Sequence, residues 1–163
     1  MNATFDTFPT PFGAFSIAVN ADGVLVATAF GDARALQARI PAYQLSNDTT
    51  RGRDAREQVL AFLAGKRRTF QLPRAEIGTA FQRRVWAELC RIPLSETRTY
   101  GEIAAAIGQP RAARAVGRAN ALNPVCLIVP CHRVIGANGA LTGFAFGAAI
   151  KQRLLDHERA FPI

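Results

Sequence analysis

The chain has 163 residues, 49% of them apolar and 20% charged, with three cysteines and a net charge of +8 at pH 7. That length is a prior for one domain or two small lobes, and it buries roughly two thirds of the unfolded surface, so neither wholesale disorder nor a disulfide scaffold is expected. No apolar run, Val125 to Val129 included, approaches the ~18 residues of a membrane helix, and the start MNATFDTF has no basic-then-apolar leader pattern, so the expectation is no membrane and a cytoplasmic location.

Residues Phe12 to Phe30 read as two strands: Phe15, Ile17 and Val19 alternate, Asn20 to Gly23 supplies turn residues, and Val24 to Phe30 is apolar again. Ser46 to Gly52 reads as a polar loop. A helix follows, with Val59, Leu60, Phe62 and Leu63 on its buried side and Gly65 as its stop. Pro73 to Gly78 reads as a link, which places an α/β N-terminal lobe, a small sheet with a helix, over 1–75 and a second, mostly α lobe over 76–163. In that second lobe Phe81 to Cys90 has helical periodicity, with Phe81, Val85, Trp86 and Leu89 on one side. Further helices are expected near Tyr100 to Ile107, from Arg111 to about Leu122 and over Ala148 to Arg159. Gly108-Gln109-Pro110 breaks the first two of these apart, a helix-turn-helix pattern. Val134-Ile135 and Ala140-Leu141 flank Asn138-Gly139, which predicts a hairpin that would serve as a wing.

Charge is unevenly spread. From Ile103 to Leu155 there is no acidic residue, while Arg111, Arg114, Arg118, Arg133, Lys151 and Arg153 are basic, which reads as a nucleic-acid footprint. At ~100° per residue, Ala112, Ala115, Val116 and Ala119 fall on one side of the helix that starts near Arg111, and Arg111, Arg114 and Arg118 form a neighbouring stripe. The chemistry concentrates at Asn123 to Arg133, NPVCLIVPCHR. An apolar run leads to Pro130, and Cys131 and His132 sit side by side where a strand must end. A thiol becomes a good nucleophile once a base or a positive field stabilises its anion, and His132 is the adjacent base. Residues next to each other in an extended chain point to opposite sides, so a turn at Pro130 or an intervening water is needed. Ile150, Leu154 and Glu158 lie on one face of the last helix, and a carboxylate turned toward a core calls for a partner such as His132. The same spacing also fits a Glu158 that reaches water from a frayed helix end, and a cysteine that is a small buried hydrophobe. Cys126 and Cys90 read as inert packing, His157 as a surface residue, and Phe81 and Trp86 as core anchors. No metal or dinucleotide spacing is present, so no cofactor is expected.

Four segments, GTAFQRRVWAELCRIP (Gly78 to Pro93), TYGEIAAAIGQPRAARAVGRANALNP (Thr99 to Pro124), IVPCHRVIGANGALTGF (Ile128 to Phe144) and KQRLLDHE (Lys151 to Glu158), resemble the O6-alkylguanine-DNA alkyltransferases, the methylated-DNA–protein-cysteine methyltransferases, in that family's order and spacing. The N-terminal lobe is similar only in FGAF and LAGKRRTFQLP. The resemblance implies a DNA repair protein that moves an alkyl group from guanine O6, less readily thymine O4, to its own Cys131 in one irreversible turnover. It implies His132 as base through a water, Glu158 completing the network, Asn123 bracing the turn, and Tyr100 rotating the nucleotide and donating a proton. It implies a recognition helix in the minor groove, with Arg114 filling the gap left by the flipped base and Ala112, Ala113, Gly117 and Thr99 at the DNA. Val134, Phe144 and Ala145 would line the substrate pocket, with the carbonyls of Cys131 and Val134 reading the guanine amino group. The implied partner is double-stranded DNA carrying O6-alkylguanine, met by a monomer, with no metal and no cofactor. Three positions depart from the family pattern: Phe144 for a usual Tyr, Phe146 where many bacterial members carry Trp, and Ser95 for a common Gly. The competing readings are a non-catalytic alkylation-damage-binding protein, a helix-turn-helix regulator and a thiol hydrolase built on Cys131, His132 and Glu158.

Overall fold

Phe12 to Phe30 forms the two expected strands, and Asn2 to Thr10 adds a third outside that expectation, in the computed structural model of the chain, which describes residues 1–161. Strands β1 (Asn2–Thr10), β2 (Gly13–Val19) and β3 (Leu25–Phe30) make an antiparallel meander, and β4 (Gln44–Asn47) joins β1 in parallel, giving the order β3-β2-β1-β4. The expected polar loop at Ser46 thus begins inside a strand. The asparagine of the turn does what its residue type suggests: Asn20 Oδ1 accepts from the amides of Asp22 and Val24, and Gly23 takes φ +76°. Ser16 and Ala18 are as buried as Phe15 and Ile17, so both faces of β2 are covered, and Ser16 is satisfied by donating to Gly31 O at 2.8 Å. Helix α1 (Ala33–Arg39), capped by Asp32, had no periodic signal in the sequence. Helix α2 (Arg53–Leu63) buries Val59, Phe62 and Leu63 as predicted, while Leu60 is only partly covered. This first unit ends at Glu76, and the expected linker is partly structured: Leu25 N donates to Pro73 O and Ala75 N to Leu25 O, both at 2.9 Å.

The second unit starts at Ile77. Thr79 and Gln82 form a reciprocal capping box that starts α3 (Ala80–Leu89). Gly78 takes φ +95°, and a Cβ there would lie 2.7 Å from the Trp86 ring. Trp86 Nε1 in turn donates to Ala119 O at 2.8 Å, which ties α3 to α5. β5 (Arg98–Thr99) leads into α4 (Tyr100–Ala106), whose first turn Thr99 caps through Glu102 N at 3.1 Å. Gly108 at φ +77° turns the chain, and α5 (Ala113–Ala121) follows. A short 3₁₀ turn (Cys131–Arg133), β6 (Val134–Ile135) and α6 (Ala148–Arg159) complete the unit.

Two elements differ from expectation. No hairpin forms at Asn138-Gly139. Gly136 N donates to Ala140 O at 2.8 Å and closes a turn, but Ala140-Leu141 carries no strand; Val134–Ile135 pairs instead in parallel with β5. The pairing with β5 leaves Val134 fully buried. Val125 to Val129 is not a strand either. It is a buried turn in which Leu127 takes φ +73°, and Asn123 supplies the bonds that a neighbouring strand would have made. Among the described residues, no helix is long and apolar enough to cross a membrane.

Candidate active site

Asn123 builds the platform for the segment that carries Cys131. Its Nδ2 donates to Val129 O at 2.9 Å while its Oδ1 accepts from Val125 N at 3.1 Å, so one buried side chain spans the Val125–Val129 turn. Val129 O then accepts from Cys131 N at 2.8 Å, and Pro130 O from Arg133 N at 3.0 Å, which winds Cys131-His132-Arg133 into the 3₁₀ turn. The backbone at Cys131-His132 is therefore turned rather than extended, so the two side chains are not held to opposite sides as in a strand. Cys131 and His132 are 4% and 0% exposed.

His132 meets Glu158 as the helix spacing allowed: Nε2 lies 2.5 Å from Oε2 with both side chains fully buried. A third member was not anticipated. Arg133 donates from Nε to Glu158 Oε1 at 2.8 Å, from Nη2 to Oε2 at 3.0 Å, and from Nη1 to Ile92 O at 2.8 Å. The Ser95 amide adds a bond at 3.4 Å, and the Ser95 hydroxyl donates to Glu158 O at 2.8 Å. Burial alone would raise the Glu158 pKa, but the hydrogen bonds from His132 and Arg133 and the guanidinium charge of Arg133 outweigh it and hold the carboxyl at about 2. Burial pushes the His132 pKa down, more strongly than Glu158 pulls it up. The pair is therefore a carboxylate and a neutral imidazole. With an ionised partner at Nε2, the imidazole proton sits on Nε2, and Nδ1 carries a lone pair. Nδ1 is buried and has no hydrogen-bond partner among the described residues.

Tyr100, at the first turn of α4, directs its hydroxyl to Thr142 O. Burial raises its pKa, with the nearby Cys131 charge adding to the rise, so the phenol keeps its proton. Lys151 was also missed. It is fully buried on α6, donates to Val134 O and, at 2.9 Å, to Thr142 O, and lies 5.9 Å from the centre of the Tyr100 ring. Burial lowers its pKa to about 8, against the opposing pull of Cys131. Asn120 is buried on α5, and its Nδ2 donates to Cys131 O at 3.2 Å. It displaces Ala115 from the buried side of that helix; Ala115 faces outward.

Thr99, Tyr100, Ala113, Arg114, Gly117 and Gly143 line one cavity of about 430 Å³. Ala112 lies outside it, in a second hollow with Arg111. Gly143 is required there: a Cβ would fall 2.3 Å from the Tyr100 hydroxyl. Val134 is buried, Phe144 packs edge-on against Phe146 at 5.6 Å, and Ala145 is exposed. Of the other two thiols, Cys126 is buried as expected, whereas Cys90 is exposed rather than packed. His157 is half-exposed, edge-on to Phe161.

Residues 80–160 match the family model for the 6-O-methylguanine DNA methyltransferase DNA binding domain. The methylated-DNA–protein-cysteine methyltransferase of Methanosarcina barkeri is 45% identical over 154 residues, covering 94% of this chain and 96% of that protein. The crystal structure of Mycobacterium tuberculosis O6-methylguanine methyltransferase superposes with a TM-score of 0.87 at 38% identity, over 99% of this chain and 95% of that one. A crystal structure of Mycobacterium tuberculosis OGT in complex with DNA superposes with a TM-score of 0.83 at 39% identity, over 96% and 93%. A likeness that runs through both units and nearly the full length of the relatives leaves one assignment: the chain belongs to the methylated-DNA–protein-cysteine methyltransferase family.

Proposed function

We propose that this protein repairs alkylated DNA by moving the alkyl group from O6 of guanine, less readily from O4 of thymine, onto Cys131 in a single irreversible turnover. The observation that carries this reading is the buried His132–Glu158 pair, which leaves Nδ1 as an unprotonated base on the residue next to the thiol. A proton leaves Cys131 for Nδ1 through a water. The sulfur attacks the alkyl carbon in line, the C–S bond forms, and the C–O bond breaks with its electron pair on guanine O6. Once it releases Thr142 O, the Tyr100 hydroxyl donates a proton toward the departing guanine. Lys151, close enough to exchange charge effects with Cys131, favours the sulfur anion. The product is a thioether that water does not reverse, so each molecule acts once and needs no cofactor.

The target atom is closed off inside a stacked duplex, so the nucleotide must be extruded at a cost of a few kcal/mol. The protein acts as a monomer, with the turn between α4 and α5 presenting α5 to the minor groove. The small side of Ala112, Ala113 and Gly117 admits close approach, Thr99 at the α4 cap faces the backbone, and exposed Arg114 fills the vacated stack. Val134, Phe144 and Ala145 bound the base pocket. Incubation with a duplex bearing one O6-methylguanine should add one methyl group per protein, mapped by intact mass and peptide analysis to Cys131. A methyl on Cys90 or Cys126, or none, overturns the assignment.

A further inference from the structure

The acceptor segment and the 142–143 segment are joined by two buried donors from two different helices. Asn120 Nδ2 of α5 donates to Cys131 O at 3.2 Å and to Gly143 O at 3.5 Å. Lys151 Nζ of α6 donates to Val134 O and to Thr142 O. Each donor therefore touches one carbonyl on either side of the space where Phe144 and Val134 meet the substrate in the reading above. The two ties are unequal in character. The Lys151 tie is ionic and shares Thr142 O with the Tyr100 hydroxyl. The Asn120 tie is neutral, it comes from the helix that carries Arg114, and it is incompletely matched: Asn120 is 1% exposed, yet its Oδ1 has no partner among the described residues. A buried acceptor without a partner costs about 1–3 kcal/mol, so packing alone gives no reason for an amide rather than a leucine at this position. What the amide supplies, and an apolar residue cannot, is the pair of N–H bonds to the two carbonyls together with a side-chain hydrogen bond to Tyr100.

We infer that Asn120 is a specificity-determining residue that fixes the width of the alkyl pocket by tying the Cys131 carbonyl to the Gly143 carbonyl. The inference rests on the alkyl-transfer reading. With the tie in place the 142–145 segment stays close to the acceptor turn, and a small alkyl group is held in line with the sulfur. Without it the segment moves outward, a large group gains room, and a methyl group loses its fixed approach. Because α5 is also the DNA-facing helix, the tie sets the pocket from the same element that meets the duplex.

The test compares single-turnover rates on duplexes carrying O6-methylguanine or O6-benzylguanine, for the wild type, Asn120→Ser and Asn120→Leu. Loss of two modest hydrogen bonds should raise the benzyl-to-methyl rate ratio by about fivefold or more in both variants. A purely structural role lowers both rates together and leaves the ratio where it was, which overturns the inference. Amide hydrogen exchange of the substrate-free proteins gives a second reading that does not depend on transfer. Faster exchange confined to 142–145, with α4 and α6 protected as in the wild type, supports the tie, and unchanged exchange at 142–145 overturns it. Wild-type protein that takes up neither alkyl group removes the alkyl-transfer reading and the pocket assignment with it, whereas normal transfer with an unmoved ratio removes the pocket assignment alone.

Discussion

The carboxylate of Glu158 accepts from His132, from two nitrogens of Arg133 and from the Ser95 amide, so its charge is matched inside the protein rather than by water. Its pKa of about 2 in the folded state lies below the ordinary value of 4.5. The stabilisation is therefore complete above 4.5 and is lost as pH falls from there toward 2, and a shift of that size is worth about 3 kcal/mol. His132 acts in the same direction. Burial lowers its pKa below 6.5, so in acid the unfolded chain takes up a proton that the folded chain refuses. Glu158→Gln removes the matched charge and leaves the Arg133 guanidinium buried beside a neutral amide. It should cost about 3 kcal/mol or more at neutral pH, and it should flatten the loss of stability between pH 4.5 and 2. Urea unfolding of both proteins at stepped pH checks this; equal acid sensitivity would remove the carboxylate from its place in the network. Ser95 belongs to the same scale. It takes φ +73°, a conformation that favours glycine, and its hydroxyl bond to Glu158 O offsets part of that strain.

Helix α5 carries a packed face and an exposed basic stripe on one element. Val116, Ala119 and Asn120 face inward, while Arg111, Arg114 and Arg118 stay exposed. If Arg114 occupies the gap in the base stack, Arg114→Ala should slow repair of a duplex by about tenfold or more while sparing reaction with free O6-benzylguanine. Equal losses on both substrates, in stopped single-turnover assays, would deny it that role. The outward stripe was legible because arginine spacing on a helix is a local pattern, and the bounds of α6 were legible for the same reason. Asn120 was not, since a polar residue on an inward face declares itself only through partners far along the chain, here Cys131 and Gly143. Lys151 did leave a trace: with Leu154, Leu155 and Glu158 it completes one helical face, so its burial could have been read from spacing. Arg133 left none, because its fork meets Glu158 across 25 residues of chain. The missed wing and the missed turn at Val125–Val129 share a cause. Periodicity and turn residues report local preference, and the pairing of β6 with β5 and the Asn123 bonds override it.

For the molecule as a whole, the net charge of +8 predicts attraction to nucleic acid, but the fold decides how much of that charge reaches phosphate. The acid-free stretch from Ile103 to Leu155 holds six basic residues in sequence. Two of them, Arg133 and Lys151, are interior and already bonded to Glu158, Ile92 O, Val134 O and Thr142 O. Arg153 is exposed on α6, a different helix from the α5 that carries the stripe of Arg111, Arg114 and Arg118. On an undamaged duplex, where no base is extruded and Arg114 can meet phosphate alongside Arg111 and Arg118, about three counterions are released on binding, and the slope of log affinity against log salt should be about −3. Affinity for an undamaged duplex should then fall about 40-fold between about 50 and about 200 mM salt, whereas six contacts would give a loss of about 1,000-fold or more. Fluorescence anisotropy on a labelled duplex measures the slope directly. A slope near zero would detach the basic stripe from DNA. A slope near −5 would mean that residues beyond α5 meet phosphate, since the interior pair cannot leave Glu158 and the pocket carbonyls without unbuilding the site.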